Sequence, residues 1–392
     1  MANDLHEARL AKKNEFYTQY EDIQKEINSY LEYNPDTFRD KTIFLPCDDP
    51  EWSNFTKFFV ENFKDLGLKK LISTSYATNS KNKQITIFDY ISDFEINSKQ
   101  YNADITNERG KIFVLTRKNQ VKININDLNW KYLEGDGDFR SEEVTKIRDE
   151  VDMIITNPPF SLFREFLHWI VEADKQFLII GNLNSVTYKD VFPLIMNNKM
   201  WLGESIHSGD RKFYVPDAYP LDASSCGVDN NGRRFVRVKG VRWYTNLDHG
   251  RRHQPIELMS KNDNLKYNKK FIKYLKTNFD LIEYPQYNNY IGEDGSIDVK
   301  YSDAIPNDFD GLMGVPVSFI DKYCPEQFEI VGCADADVLP ENWVGAKKEF
   351  VDLYLEQGNT GQYTEGNRLA NFVHNGIAMI PYKRILIRRR KG

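Results

Sequence analysis

Hydrophobic positions fall at two spacings along the first half of the chain. "KTIFLP" (41–46), "KKLISTSY" (69–76), "VDMIIT" (151–156) and "KQFLIIGNLN" (175–184) are short apolar runs, and the last two are nearly continuous, as in central strands covered on both faces. Between them, "WSNFTKFFVENFKDLGL" (52–68) and "SLFREFLHWIVEAD" (161–174) carry apolar residues at helical spacing, with Asp48 or Asp49 near the first helix start and Gly67 as its stop. "EFYTQYEDIQKEINSY" (15–30) reads as a turn into a helix, and "LEGDGDFRS" (133–141) as turn chemistry before a short charged helix. "QITIFDY" and "KIFVLTR" alternate like hairpin strands, so 77–130 reads as an insertion. Strands alternating with helices predict an α/β fold, a Rossmann-like, mostly parallel sheet. From about residue 200 the texture turns to short strands, aromatics and turn residues, predicting a more irregular α+β region over 201–392.

Composition adds bounds. The 392 residues are 41% hydrophobic and 28% charged, an ordinary globular balance with room for two domains. No run approaches the roughly 18 apolar residues of a membrane span, and the polar N-terminus lacks an apolar signal core, so a cytoplasmic protein without membrane contact is expected. Cys47, Cys226, Cys324 and Cys333 are scattered without a CxxC pair, which predicts free thiols and no metal site. A net charge of −6 argues, as a sum, against a nucleic-acid partner. Its distribution changes that picture. Residues 231–253 hold Arg233, Arg234, Arg237, Lys239, Arg242, Arg251 and Arg252 against the single acid Asp248, and the C-terminal "YKRILIRRRKG" is basic throughout.

The informative corner is "VDMIITNPPF" (151–160). Ligands of open α/β sheets sit beyond the carboxyl ends of the strands, where Asn157, Pro158, Pro159 and Phe160 fall. Two prolines stiffen the backbone and donate no N–H; Asn157 adds a side-chain acceptor and Phe160 a flat apolar face. Acceptors beside an aromatic plate fit a planar heterocycle bearing an exocyclic amino group. The lone pair of adenine N6 is delocalised into the ring. Hydrogen bonds from both N6 protons to Asn157 Oδ1 and the Pro158 carbonyl favour a pyramidal nitrogen that can attack a methyl sulfonium placed in line. This chemistry requires no acid/base dyad and no metal. The bland alternative is a proline-rich turn after a strand.

Asn-Pro-Pro-Phe is similar to the catalytic motif of amino-methyltransferases that use S-adenosylmethionine, and more of the chain resembles the EcoRI-type adenine-specific DNA methyltransferases. The resemblance is carried, in one order, by "EFYTQYEDI" (15–23), "CDDPEWSNFTKFF" (47–59), "LEGDGDFRSEE" (133–143), "TNPPFSLFREFL" (156–167), "FLIIGNLNSVTYKDVF" (177–192), "WLG" (201–203) and "MGVPVSFIDKYCPEQFEI" (313–330). It implies a catalytic domain over 1–200 with S-adenosylmethionine as cofactor, and a DNA-recognition region over 201–392. It also implies roles by position. Tyr17 and Thr18 close over the cofactor methionine, against ordinary packing for Tyr17. "CDDPEWSNF" replaces the usual Gly-rich loop and supplies Cys47, Asp48, Asp49, Ser53 and Asn54; Asp48 meets the methionine ammonium, with helix capping as the plain reading of both aspartates. Asp138 accepts from the adenosyl amino group and Phe139 stacks on its ring, with a turn residue as the plain reading of Asp138. Two departures stand out: no FxGxG, and no acid after the second strand for the ribose.

A duplex adenine reaches such a pocket only when flipped out. "RRFVRVKGVRWYTN" alternates basic and apolar residues, as expected of a strand with one face on the core and one on double-stranded DNA, or of a merely solvated face. The tail could equally be a solubilising terminus, and Ser185 and Thr187 helix caps. A monomer is the expected state. RNA or a protein amide as substrate, and a non-catalytic DNA-binding or decoy protein, remain as alternatives.

Overall fold

The computed structural model describes residues 18–390 except 52, 78–99, 103–104, 107, 119–127, 208–209, 215–224 and 362. Tyr17 and the expected strand "QITIFDY" lie outside the described residues.

Helix α1 (Tyr20–Tyr33) leads into β1 (Thr42–Leu45), α2 (Asn54–Glu61), β2 (Lys70–Thr74), β3 (Lys111–Thr116), β4 (Lys131–Tyr132), α3 (Glu142–Asp149), β5 (Met153–Thr156), α4 (Phe163–Glu172) and β6 (Gln176–Asn182). After α5 (Phe192–Met196) come β7 (Trp201–Leu202), β8 (Asp210–Tyr214), β9 (Cys226–Val228), β10 (Arg234–Lys239) and β11 (Val241–Thr245). The main sheet has the order β4-β3-β2-β1-β5-β6-β11-β7. Its centre is parallel: β1 pairs with β2 and with β5, and β5 with β6. Antiparallel strands flank it, β3 beside β2 and β11 beside β6.

Every residue of β1 and β5 is buried, which explains why these strands are apolar runs rather than alternations. Helix α4 buries Phe163, Phe166, Leu167, Trp169 and Ile170, the three-and-four spacing that marked it as a helix. Part of the expected insertion belongs to the sheet, because "KIFVLT" is β3.

Strand order reverses at β1/β5. From β1 the chain proceeds outward to β2, and from β5 it proceeds the other way to β6. The loops after these two strands therefore diverge and leave a crevice at their carboxyl ends, the switch point where such sheets bind ligands.

The chain divides into two compact units, and not at 200/201. Unit one comprises 1–182 and 202–250; unit two comprises 183–201 and 251–392. The reason is β11, which returns after the change of texture and pairs antiparallel with β6 from Val241↔Asn182 to Thr245↔Leu178.

Unit two contains α6 (Lys261–Tyr267), α7 (Lys269–Phe279), β12 (Ser296–Asp298), β13 (Leu312–Pro316), β14 (Phe328–Cys333), α8 (Lys348–Glu356), a hairpin of β15 (Phe372–His374) and β16 (Ile377–Met379), and β17 (Arg384–Arg389). The basic tail is no solubilising terminus: β17 lies inside the sheet β12-β13-β17-β14. Arg384 is buried and paired with Asp298 at 2.8 Å, and Arg388 reaches Asp294 at 3.3 Å. Ser185 and Thr187 are buried in a 3₁₀ turn, Leu183–Thr187, and cap no helix. No helix among the described residues is long and apolar enough to cross a membrane.

Candidate active site

The loop after β1 and the end of β5 meet through one carboxylate. Asp48 is 4% exposed and accepts hydrogen bonds from Ser53 Oγ and Thr156 Oγ1, each at 2.6 Å. Its backbone N–H donates to the Thr74 carbonyl at 3.0 Å, and its carbonyl accepts from Ser73 Oγ. Asp48 thus ties together β1, β2, β5 and the start of α2. Ser53 plays two parts: it donates to Asp48, and as the N-cap of α2 it accepts from the Phe55 N–H at 3.1 Å. Burial pushes the Asp48 carboxyl up to about 7; Asp49 adds to the rise, and the Ser53 and Thr156 hydroxyls oppose it.

Beside it, Lys111 at the start of β3 is buried between Asp49 (3.2 Å) and Glu51 (2.8 Å), with its ammonium 4.9 Å from the centre of the Trp130 ring. Asp49 Oδ1 also accepts from the Glu51 N–H at 2.8 Å. This lysine folds the post-β1 loop back on itself, a side-chain solution where a Gly-rich loop would rely on backbone. Asp48, Asp49 and Glu51 outnumber Lys111, so the loop carries an excess of negative charge suited to a cationic ligand group.

The "GDGDF" segment closes the crevice next to β2. Ala77 N–H donates to the Asp136 carbonyl at 2.7 Å, and Gly110 N–H to that of Gly135 at 3.0 Å. Gly137 has φ +81°, and a Cβ on it would lie 2.2 Å from the Ser75 carbonyl oxygen, so no other residue fits there. The two ring-binding expectations for this segment fare differently. Asp138 sits at the turn with its carboxylate held by Arg140, whose Nη2 is 2.7 Å from Oδ2. Phe139 does not offer its ring to a ligand. It is 6% exposed, edge-on to Phe166 and Trp169 at centroid distances of 5.0 and 5.6 Å, with the Arg140 guanidinium 5.5 Å from its ring centre. The apolar face of α4 takes up this aromatic.

At the end of β5, Asn157, Pro158 and Pro159 are buried and Phe160 is half-buried against the core. The Pro159 carbonyl accepts from the Leu162 N–H at 2.9 Å, which starts the turn Phe160–Leu162 leading into α4. The Pro158 carbonyl accepts no hydrogen bond among the described residues. Thr18 is 5% exposed; its carbonyl accepts from Asn54 Nδ2 at 2.8 Å, while its hydroxyl has no partner among the described residues. Cys47, just after β1, is half-buried. The crevice therefore gathers Thr18, Cys47, Asp48, Asp49, Ser53, Asn54 and Asn157–Phe160 within unit one.

The family of EcoRI adenine-specific methyltransferases matches residues 4–390 of this sequence. The chain belongs to that family. It is 38% identical to the type II methyltransferase M.EcoRI of Escherichia coli over 327 residues, 83% of this chain and 88% of that one. Type II methyltransferases of Mycoplasma genitalium and Mycoplasma pneumoniae are each 32% identical over 331 residues, 84% of this chain and 86% and 85% of theirs. No solved structure matches. Membership makes the enzyme a DNA methyltransferase and agrees with the mixed sheet and its parallel centre.

The basic residues expected on DNA are dispersed by the fold. Arg237 and Lys239 are exposed on β10, and Arg234 is half-buried. Arg233 is tied to Asp229 in the β9–β10 turn at 2.9 Å. Arg242 is a correction: it is 4% exposed on β11 and donates to the carbonyls of Val241 (2.8 Å) and His207 (2.5 Å), so its charge is spent inside the unit. Arg251 and Arg252 belong to unit two, the first donating to the Asp321 carbonyl at 3.2 Å and the second stacked 3.8 Å above Trp201. Thr156 and Lys111 escaped the sequence reading. A hydroxyl ending an otherwise apolar strand, and a lone cation beginning one, are the signals that mark them. Among the described residues no group of three or more His, Cys, Asp or Glu is placed to hold a metal.

Proposed function

We propose that this enzyme methylates N6 of an adenine flipped out of double-stranded DNA, using S-adenosylmethionine, with chemistry at Asn157–Phe160. The observation that carries this reading is the placement of Asn157 and the unengaged Pro158 carbonyl at the carboxyl end of β5, on the switch point of the sheet. S-adenosylmethionine, when bound, supplies an electrophilic methyl group on a sulfonium.

The residues present fit that cofactor. The acidic excess of Asp48, Asp49 and Glu51 suits its ammonium, and the buried Thr18 hydroxyl has hydrogen-bonding capacity unused by the fold. Each Asp48 oxygen accepts one hydroxyl proton and keeps a further lone pair for an ammonium N–H. The α2 N-terminus, opened by Ser53 and Asn54, suits a carboxylate.

The mechanism is positional. Asn157 Oδ1 and the Pro158 carbonyl accept the two N6 protons, which draws the amino lone pair out of conjugation, and Phe160 holds the base by its face. The N6 proton is lost to solvent after transfer. Asp138, pinned by Arg140, is an acceptor at the GDGDF turn for the adenosyl amino group.

Duplex DNA, RNA and a peptide substrate, each incubated with labelled S-adenosylmethionine, test the reading. Label is expected in duplex DNA alone; label confined to RNA or peptide overturns it.

A further inference from the structure

Strands β8, β10 and β9 form a small sheet in that order, all within unit one. One face packs inward: Phe213 and Val236 belong to the main core, with Cys226 and Val238 against it. The other face is built differently. Arg237 pairs directly with Lys212 and Lys239 with Asp210, so these four side chains share it. Phe235 lies on the same face, 6% exposed, with Lys212 Nζ 4.6 Å and Arg237 Cζ 5.6 Å from its ring centre. The residue opposite Phe235 is Gly227, where a Cβ would come within 2.8 Å of the ring. An aromatic floor thus lifts two cations side by side. Lys212, Arg237 and Lys239 are exposed and make no ion pair among the described residues; Asp210 is the one acid among the four.

The location of this face is equally specific. β10 turns at Gly240 directly into β11, whose first residue pairs with Asn182 at the carboxyl end of β6, and Asn182 Nδ2 donates to the Lys239 carbonyl at 2.8 Å. The sheet therefore springs from the edge of the main sheet where Asn157 lies. At its other side, Gln19 Nε2 donates to the Lys212 carbonyl at 3.3 Å and Arg211 faces Asp22 at 3.9 Å, next to Thr18.

We propose that the outward face of β8–β10, with Lys212 and Arg237 over Phe235 and Lys239 beside them, is a phosphate-contacting surface that seats the duplex backbone on the catalytic unit. It rests on the reading that the substrate is duplex DNA. Unpaired cations on a rigid floor suit phosphates, which hold register without reading sequence. The occupant is the DNA backbone because the face carries positive charge in a chain of net charge −6, at the side of the sheet where the base must enter.

The test is the salt dependence of binding to a mixed-sequence duplex, which needs no knowledge of the recognition site. Each phosphate contact contributes about 0.9 to the slope of log affinity against log salt. The double variant Lys212→Gln/Arg237→Gln is expected to lose about 1.8 of that slope. Lys212→Arg/Arg237→Lys should keep it, and so should Lys69→Gln, at the opposite, amino end of β2. An unchanged slope in the double variant, with wild-type binding intact, overturns this proposal alone, as does an equal loss in Lys69→Gln. Wild-type protein without salt-dependent duplex binding overturns the DNA reading itself. A charge-conserving variant that loses the slope would show that shape, not phosphate contact, was disturbed.

Discussion

Thr156 Oγ1 donates to Asp48 Oδ2 at 2.6 Å, joining the last residue of β5 to the loop after β1 across the switch point. The residue next to Thr156 is Asn157, so one hydrogen bond links the loop proposed to hold the cofactor to the corner proposed for catalysis. Thr156→Val removes the donor, keeps the shape and leaves a buried carboxylate with one hydroxyl fewer. A hydrogen bond to a charged group is worth about 1.5–3 kcal/mol. Steady-state kinetics should show kcat/KM for the cofactor falling by about 10–100-fold, with Thr156→Ser restoring most of it. Equal activity of the valine and threonine enzymes would remove the link from the account.

Asp48 predicts opposite pH trends for stability and cofactor binding. Its folded pKa of about 7 lies above the ordinary carboxylate range, so the folded state holds the proton that the unfolded chain releases. Its contribution to stability is therefore fully present at acid pH and is lost as pH rises from the ordinary range through about 7. Cofactor affinity should rise through the same window, since the proposed role of Asp48 is to pair with an ammonium in its ionised form. Asp48→Asn should flatten both trends in denaturant titrations and calorimetry; a variant with the wild-type pH profile would remove Asp48 from the cofactor's surroundings.

Lys111 is enclosed with Asp49 and Glu51, their side chains 5%, 6% and 14% exposed. Removing one partner of a buried pair costs about 3–5 kcal/mol because the other charge remains. Lys111→Met should lower the urea midpoint accordingly, while a triple change that also replaces both acids by their amides should recover much of the loss. A methionine variant as stable as wild type would show the cluster to be solvated.

In the proposed mechanism Asn157→Ala deletes one acceptor for the amino protons and leaves Asp48 and Ser53 in place. Single-turnover methyl transfer should slow by about 10²–10³-fold with cofactor affinity retained. A parallel loss of cofactor binding would reassign Asn157 from the base to the cofactor.

Much of unit one was legible because burial on both faces leaves a mark in sequence. "DMIIT" and "QFLII" are apolar without alternation, and "NPP" can only end a strand. Other features left no local mark. "RRFVRVKGVRWYTN" reads as one basic strand, yet the turn at Gly240 divides it between two sheets, and Arg242 falls into the buried one. Phe139 was expected to stack because it follows GDGD, but what occupies it is α4, whose Phe166 and Trp169 arrive from 27 and 30 residues further on. The Lys212–Arg237 pairing depends on β8 and β10 register, which the residues between them do not encode.

The most direct measurement is modification-sensitive sequencing of genomic DNA after expression in a host lacking adenine methylases. N6-methyladenine at one recurring duplex sequence, strongly reduced with Asn157→Ala, is the predicted result. Genomic DNA free of N6-methyladenine while soluble wild-type enzyme accumulates would contradict it.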